Sequence, residues 1–172
     1  MDNLIIRKMQ SSDIDEILSI EQLCYGNHHW SYESFLSELN NKISSYICAQ
    51  YNDKCIGYMG IWKIVSEAHV TNLSVHPDFQ NKKVAHRLLL TSIDICYDEK
   101  IKYITLEVRK SNEKAIHLYE KFGFKSLGYR KKYYQDNNED ALIMWSENIF
   151  DEKYKQLYDN MKKEVSYVKQ KI

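Results

Sequence analysis

Apolar residues along this chain follow two rhythms. In some stretches they recur every three or four positions, the period of a helix face; in others they alternate, the period of a strand. Residues 3–9 (NLIIRKM) read as a first strand. The next stretch predicts a helix capped by Ser11 or Ser12, with Asp13, Asp15 and Glu16 complementing its N-terminal dipole. Ile14, Ile17, Leu18 and Cys24 share one face of it. Glu21 falls on that same apolar face, where a buried carboxylate needs a partner. Residues 30–40 (WSYESFLSELN) predict a short second helix, opened by a near capping box at Ser31 and Ser34, with Phe35 and Leu39 four apart.

The middle of the chain changes rhythm. Residues 45–64 read as a hairpin around Asn52-Asp53-Lys54, and residues 67–75 (EAHVTNLSV) as the next strand. From Val84 the apolar positions Val84, Ala85, Leu88, Leu89, Ile95 and Cys96, joined by Ser92, line one helical face. Residues 102–108 (KYITLEV) alternate strictly, with Ile104, Leu106 and Val108 on one side and Tyr103, Thr105 and Glu107 on the other. Asn112 can cap a short helix carrying Ala115, Ile116, Tyr119 and Phe122, which Gly123 ends. Residues 124–134 and 140–146 form a last antiparallel pair around Asp136-Asn137-Asn138.

Residues 149–172 carry Phe150, Tyr154, Leu157, Tyr158, Met161, Val165 and Val168 at spacings of three and four, an amphipathic helix. Its wet face holds Lys162, Lys163, Glu164, Lys169 and Lys171. The expectation is that its first half docks on the domain and its last turns stay mobile. The predicted order is β-α-α-β-β-β-α-β-α-β-β plus a terminal helix. It implies an α/β (α+β) fold, a mixed, mainly antiparallel sheet flanked by helices. The division is a domain over 1–148 and a helical extension over 149–172.

Composition narrows the function. Lys+Arg and Asp+Glu both total 24, so the formal net charge is zero, which argues against nucleic-acid binding as the main activity. Any anion site must be local. Cys24, Cys48, Cys55 and Cys96 show no C-x-x-C spacing; Cys48 and Cys55 can face one another across the hairpin, but buried free thiols in a reducing compartment fit better. The N-terminus lacks the layout of a signal peptide and no apolar run is long enough to span a membrane. His28 and His29 are adjacent but have no companion cluster, so no metal is expected.

The segment HPDFQNKKVAHRLL holds the only proline, then Gln80, Asn81, Lys82 and Lys83 ahead of the helix that starts near Val84. The free amides of a helix's first turn, with its dipole, make an anion site. Gln80 adds a neutral donor, and Lys82 and Lys83 add charge. The alternative is an ordinary strand-to-helix loop with solvated lysines.

Residues 106–124 (LEVRKSNEKAIHLYEKFGF) resemble the closing motif of the GCN5-related N-acetyltransferase (GNAT) superfamily. The run Leu106-Glu107-Val108-Arg109, then Ser111-Asn112, then residues 118–124 (LYEKFGF), is similar to its ribosomal-protein-alanine N-acetyltransferase (RimI-like) branch. YRKKYYQDNNEDALIM and CYGNHHWSYESFLSEL resemble other parts of that branch, and the likeness spans roughly residues 4–146.

The resemblance implies a GNAT fold and acetyl-coenzyme A (acetyl-CoA) as co-substrate. The family loop reads Gln/Arg-x-x-Gly-x-Gly/Ala, and its backbone amides hold the pyrophosphate. Gln80 and Ala85 match; Lys83 stands where the family has glycine, with Lys82 and Val84 beside it. The main chain of Leu73, Ser74 and Val75 is implied to pair with the pantetheine arm and to offer an amide to the thioester oxygen. Asn112 is implied to touch the cofactor while capping its helix. Glu107 matches the family's base and Tyr119 its general acid; their alternatives are an exposed strand glutamate and a core tyrosine. Glu21, Tyr25, Trp30, Tyr133 and Tyr134 are candidates for the acceptor groove, although packing alone accounts for each aromatic taken singly. Glu21 pairs with a basic group or helps to hold the substrate backbone.

The implied activity is acetyl transfer to a protein N-terminal amine, the alanine terminus of a small-subunit ribosomal protein. A lysine or small-amine acetyltransferase and a non-catalytic acyl-CoA sensor are the alternatives. Direct nucleic-acid or membrane binding is not expected. A monomer or weak dimer is expected, in the cytoplasm or in an organelle stroma.

Overall fold

The computed structural model describes residues 3–170 and 172; Met1, Asp2 and Lys171 lie outside them. Seven strands form one sheet: β1 (Ile5–Lys8), β2 (Ser44–Tyr51), β3 (Lys54–Ile64), β4 (Glu67–Val75), β5 (Tyr103–Arg109), β6 (Lys125–Tyr134) and β7 (Glu139–Trp145). Their order is β1-β2-β3-β4-β5-β7-β6, and every neighbouring pair is antiparallel except β4 and β5. The helices are α1 (Ile14–Tyr25), α2 (Tyr32–Leu39), α3 (Val84–Asp98), α4 (Glu113–Lys121) and α5 (Glu152–Glu164). The element order is the one the apolar pattern predicts.

Local chemistry explains the connections. Asn52 and Asp53 join β2 to β3 with φ of 48° and 63°. Two successive positive φ values give a turn whose twist matches the strands, and Asn and Asp tolerate them. α3 is the crossover that lets β5 lie parallel to β4. That parallel pairing is short. Glu67–Val70 match Tyr103–Leu106, and past this point β4 has no register with β5. The two strands therefore part, leaving the Thr71–Val75 edge of β4 facing a gap.

Two apolar cores sit on opposite faces of the sheet. The larger, with Met59, Leu88, Leu106 and Phe122, lies under α3, α4 and α5. The smaller, with Ile14, Ile17, Phe35, Tyr46 and Tyr58, lies under α1 and α2. All four cysteines are free; β2–β3 register places Cys48 opposite Tyr58 and Cys55 opposite Gln50, and the two unbonded thiols lie close enough for Cys48 to push the Cys55 thiol up.

Two details differ from the sequence expectation. Ser11 and Ser12 cap nothing; with Asp13 they form a single tight turn, and α1 begins at Ile14. Asp13 instead pairs with Arg7 at 2.7 Å and accepts from the Gln10 amide at 2.7 Å. Arg7 holds the Asp13 carboxyl below its ordinary value against the opposing effect of burial. Ser31 does cap α2, accepting from the Ser34 amide at 3.2 Å.

The second difference is the C-terminal segment. α5 is helical over Glu152–Glu164, shorter than the expected 149–172, and beyond it Val165, Tyr167 and Lys169 contact α3. Val165 is buried, its carbonyl accepts from Arg87 at 2.6 Å, and Lys169 reaches Asp98 at 2.6 Å. The cause lies on α3. Its buried Asp94 accepts from Tyr158 Oη at 2.5 Å and from Tyr167 Oη at 2.8 Å. A buried carboxylate requires such donors, so it draws the tail onto the helix.

Candidate active site

β4, the loop after it, the N-terminus of α3 and one face of α4 enclose a cleft of about 530 Å³. Leu73, Val75, Gln80, Lys83, Val84, Ala85, Asn112 and Tyr119, all candidates for the cofactor site, line it together. α3 begins at the cleft, and no side chain caps it. Its first-turn amides and dipole are therefore open to an anion. Asn112 caps α4, its Oδ1 accepting from the Ala115 amide at 3.2 Å.

Lys83 and Asn81 both adopt left-handed conformations, with φ of 63° and 59°. The backbone at Lys83 thus has the shape that glycine takes without strain, and a side chain there costs about 1–2 kcal/mol. The Lys83 ammonium is partnered: Glu164 of the C-terminal segment accepts from it at 2.5 Å and from Lys121 at 2.7 Å. These two lysines hold Glu164 down to about 2. Lys83, Lys114 and Lys121 all line the cleft. Between them His86 is depressed to about 4, by burial first and then by the charges of Lys83 and Lys121. The mouth of the cleft is thus electropositive in a chain of zero net charge.

Three of the expected cofactor residues direct their side chains elsewhere, Gln80 while still lining the cleft and Ser74 with only its main chain expected to make contact. The Gln80 side chain turns back to donate to the Val75 carbonyl at 3.2 Å, bracing the loop instead of reaching outward. Lys82 lies over the Phe79 ring, 5.3 Å from its centroid, and does not line the cleft. Ser74 points to the other face of β4, where its Oγ meets Tyr25 Oη at 2.9 Å. Alternation along the strand requires this: Leu73 and Ser74 cannot face the same way.

Tyr119 is 6% exposed and packs against Phe124, with ring centroids 5.7 Å apart. Burial, then the neighbouring Tyr25 and Tyr134, pushes its hydroxyl well above the usual phenol value. It keeps its proton at any physiological pH. Glu107 lies on the opposite face from Leu106 and Val108, one residue past the last β4–β5 pair, beside the gap. Both its oxygens are held: His69 Nε2 lies 2.5 Å from Oε2, and Arg130 Nε donates to Oε1 at 3.0 Å. His69, then the Arg130 charge, holds Glu107 below its ordinary value although burial opposes them.

Of the acceptor-groove candidates, Glu21 is 1% exposed and meets no cation among the described residues. It accepts from Tyr58 Oη, from Ser74 Oγ at 3.4 Å and from the Trp30 amide at 3.3 Å, so of its two expected roles the pairing with a basic group is not the one seen. Trp30 packs against Phe35 at 5.4 Å and belongs to the smaller core rather than to a groove. Tyr25 is partly exposed and tied to Ser74. Tyr134 is stacked by Arg109, 3.9 Å from its centroid, and meets the exposed Tyr133 edge-on. Tyr25 thus disfavours ionisation of both Tyr119 and Tyr134, and Tyr134 that of Tyr119, in each case after the larger effect of burial.

The sequence reading missed His69, Arg130, Lys114, Lys121 and His86. A signal existed for α4, where Lys114, His117, Leu118 and Lys121 fall on one helical face. None existed for the pairing of Glu164 across 81 positions. Among the described residues no cluster of three metal-ligating side chains occurs, and no helix is long and apolar enough to cross a membrane.

An uncapped helix start, a lysine-rimmed mouth and an open strand edge fit a phosphate-bearing thioester with an extended arm. The comparisons agree. A Bacillus subtilis (strain 168) relative, provisionally named a [ribosomal protein bS18]-alanine N-acetyltransferase, is 36% identical over 81% of this chain and 93% of its own length. The Escherichia coli (strain K12) [ribosomal protein bS18]-alanine N-acetyltransferase is 32% identical over 81% of this chain and 94% of its own. The crystal structure of the ribosomal-protein-S18-alanine N-acetyltransferase from Escherichia coli superposes with a TM-score of 0.76 at 30% identity, covering 83% of this chain and 92% of that one. The model of the acetyltransferase (GNAT) family matches residues 13–124, and the chain belongs to that family of acetyl-CoA-dependent enzymes.

Proposed function

We propose that the protein acetylates the N-terminal α-amine of a protein, its acceptor being the alanine terminus of ribosomal protein bS18, and that it works in the cytoplasm. The similarity to bS18-alanine N-acetyltransferases along most of the chain carries this reading. Acetyl-CoA supplies an acetyl thioester, whose carbonyl carbon the amine attacks. On the protein's side, the α3 amides with Lys83, Lys114 and Lys121 hold the phosphates. The β4 edge from Leu73 to Val75 pairs with the pantetheine arm and turns an amide to the thioester oxygen. The cleft lies on the α3–α4 face and Glu107 on the other, so the β4–β5 gap is where an amine meets the thioester.

An α-ammonium carries three protons and an amide nitrogen keeps one. Two must therefore leave: one before attack and one as the bond forms. Glu107 serves the removal of the first. Tyr119, which holds its proton, donates to the departing thiolate and is reprotonated by the second. The groove beside Tyr25, Tyr133 and Tyr134 receives the peptide.

Mass spectrometry of peptides with varied N-termini, incubated with acetyl-CoA, tests the reading. Acetylation of the α-amine of alanine-initiated peptides is expected. Label on lysine side chains alone makes it a lysine acetyltransferase. Cofactor binding without transfer makes it an acyl-CoA sensor.

A further inference from the structure

We propose that His69 is the group that takes the first proton from the acceptor amine, and that Glu107 acts through it by fixing the imidazole and stabilising its charged form. This rests on the N-terminal acetyltransferase reading above.

The two side chains come from neighbouring parallel strands, His69 from β4 and Glu107 from β5. Both point away from the larger core, toward the face that carries α1 and α2. An ionised carboxylate only accepts hydrogen bonds, so the ring nitrogen 2.5 Å from Glu107 Oε2 carries the hydrogen. Nε2 therefore carries a hydrogen, and in the neutral ring the lone pair lies on Nδ1. Nδ1 has no protein partner among the described residues. The His69 side chain is 30% exposed, against 8% for Glu107, so it is the imidazole that is open to an amine or to a bridging water.

Glu107 by itself is poorly matched to the task. The fixed charge of Arg130 on its other oxygen and the His69 contact stabilise its ionised form. A base works best when its pKa lies near the operating pH, and a carboxylate held low is a weak one. Imidazole changes charge between about pH 5 and 8, close to an α-amine at about 7.7–8.0. The groups in contact with the ring are Glu107 from β5 and Trp62 from β3, while Arg130 of β6 bonds Glu107 and lies over Tyr133, and Glu38 of α2 is bonded to the indole at 2.7 Å.

The proton balance is complete. The ammonium N–H breaks and its proton goes to Nδ1, giving imidazolium paired with Glu107. The freed amine attacks, and the imidazolium then releases the proton to water. No oxidant or metal is needed.

The test compares wild type, His69→Gln and Glu107→Gln, with alanine-initiated peptide from pH 6 to 9 and with cofactor affinity measured alongside. His69→Gln is expected to lower kcat by about 10²–10⁴-fold near neutral pH with acetyl-CoA binding unchanged, and by less toward pH 9, leaving only the acid limb set by the amine itself. Glu107→Gln is expected to retain an acid limb at shifted pH. Nitrogen-15 NMR of the free protein is an activity-independent readout and should show the Nε2–H tautomer, lost in Glu107→Gln. His69→Gln within about threefold of wild type while Glu107→Gln is crippled overturns the proposal in favour of Glu107 alone. So does an Nδ1–H tautomer in the wild type. A wild type that binds acetyl-CoA but acetylates no N-terminal amine brings down the underlying reading, and the assignment of His69 with it.

Discussion

Tyr119 shows how one buried side chain can serve both packing and chemistry. Its ring fills core beside Phe124, the residue lines the cleft, and burial holds its hydroxyl protonated. Tyr119→Phe keeps the packing and removes the proton. Turnover should fall by about 10²–10⁴-fold across the whole pH range, with the acetyl-CoA Kd changed less than about threefold; calorimetry and steady-state kinetics check both. His86 reports the field at the same cleft. Its folded-state value is depressed to about 4, so the unfolded chain binds more protons between that value and the ordinary 6.5. Stability therefore rises with pH across this window and falls as pH drops through it. Thermal melts should show that acid loss, and His86→Gln should flatten it. Bound phosphates oppose the charges of Lys83 and Lys121, so acetyl-CoA should raise the His86 value, which proton NMR follows directly.

The entry into α3 concentrates the element-level tension. A loop that must expose backbone amides to an anion turns through left-handed conformations at Asn81 and Lys83. Asparagine accepts this readily; lysine does not. Lys83→Ala retains the strained φ and loses the ammonium, while Lys83→Gly loses both. Their difference isolates the backbone term. Lys83→Gly should be the more stable of the two by about 1 kcal/mol, a few degrees in Tm for a chain of this size, read by differential scanning calorimetry. Both should bind acetyl-CoA with a weaker salt dependence than wild type, because a charge near the phosphates is gone. Equal salt slopes in all three proteins would show that the ammonium takes no part.

The C-terminal segment ties the molecule together beyond the matched family region. Tyr154, Tyr158 and Val165 are buried, and Tyr154 Oη donates to the Phe122 carbonyl at 3.0 Å. At roughly 1.5–3 kcal/mol for each buried side chain, truncation after Asn148 should lower Tm by about 10 °C or more. It also leaves Asp94 buried without its phenol donors. The active site is affected too, because Glu164 occupies the two lysines at the cleft mouth. Glu164→Gln should leave the fold intact and free both ammonium groups for phosphate. Surface pairs are worth about 0.2–1 kcal/mol each, so acetyl-CoA affinity should rise by about twofold to tenfold at low salt and less at high salt. Titration calorimetry at two ionic strengths measures it.

The order of strands and helices was legible in the chain because period and capping are local. Alternation marked β5, Ser31 and Asn112 marked helix starts, and Asn52-Asp53 marked a turn whose φ values suit them. The residues at the cleft were legible for the same reason: a loop and a helix start are contiguous in sequence. What stayed hidden arises between segments far apart. Nothing near Lys83 announces Glu164, and nothing near Glu107 announces His69 or Arg130, since side chains on neighbouring strands meet only once the register is set. The side to which Gln80 and Ser74 turn, and the donors that satisfy Glu21 and Asp94, were likewise decided by packing. Local periodicity determined which elements form. Tertiary structure alone decided which charged groups share a solvent-poor space, and the proton chemistry arises from those contacts.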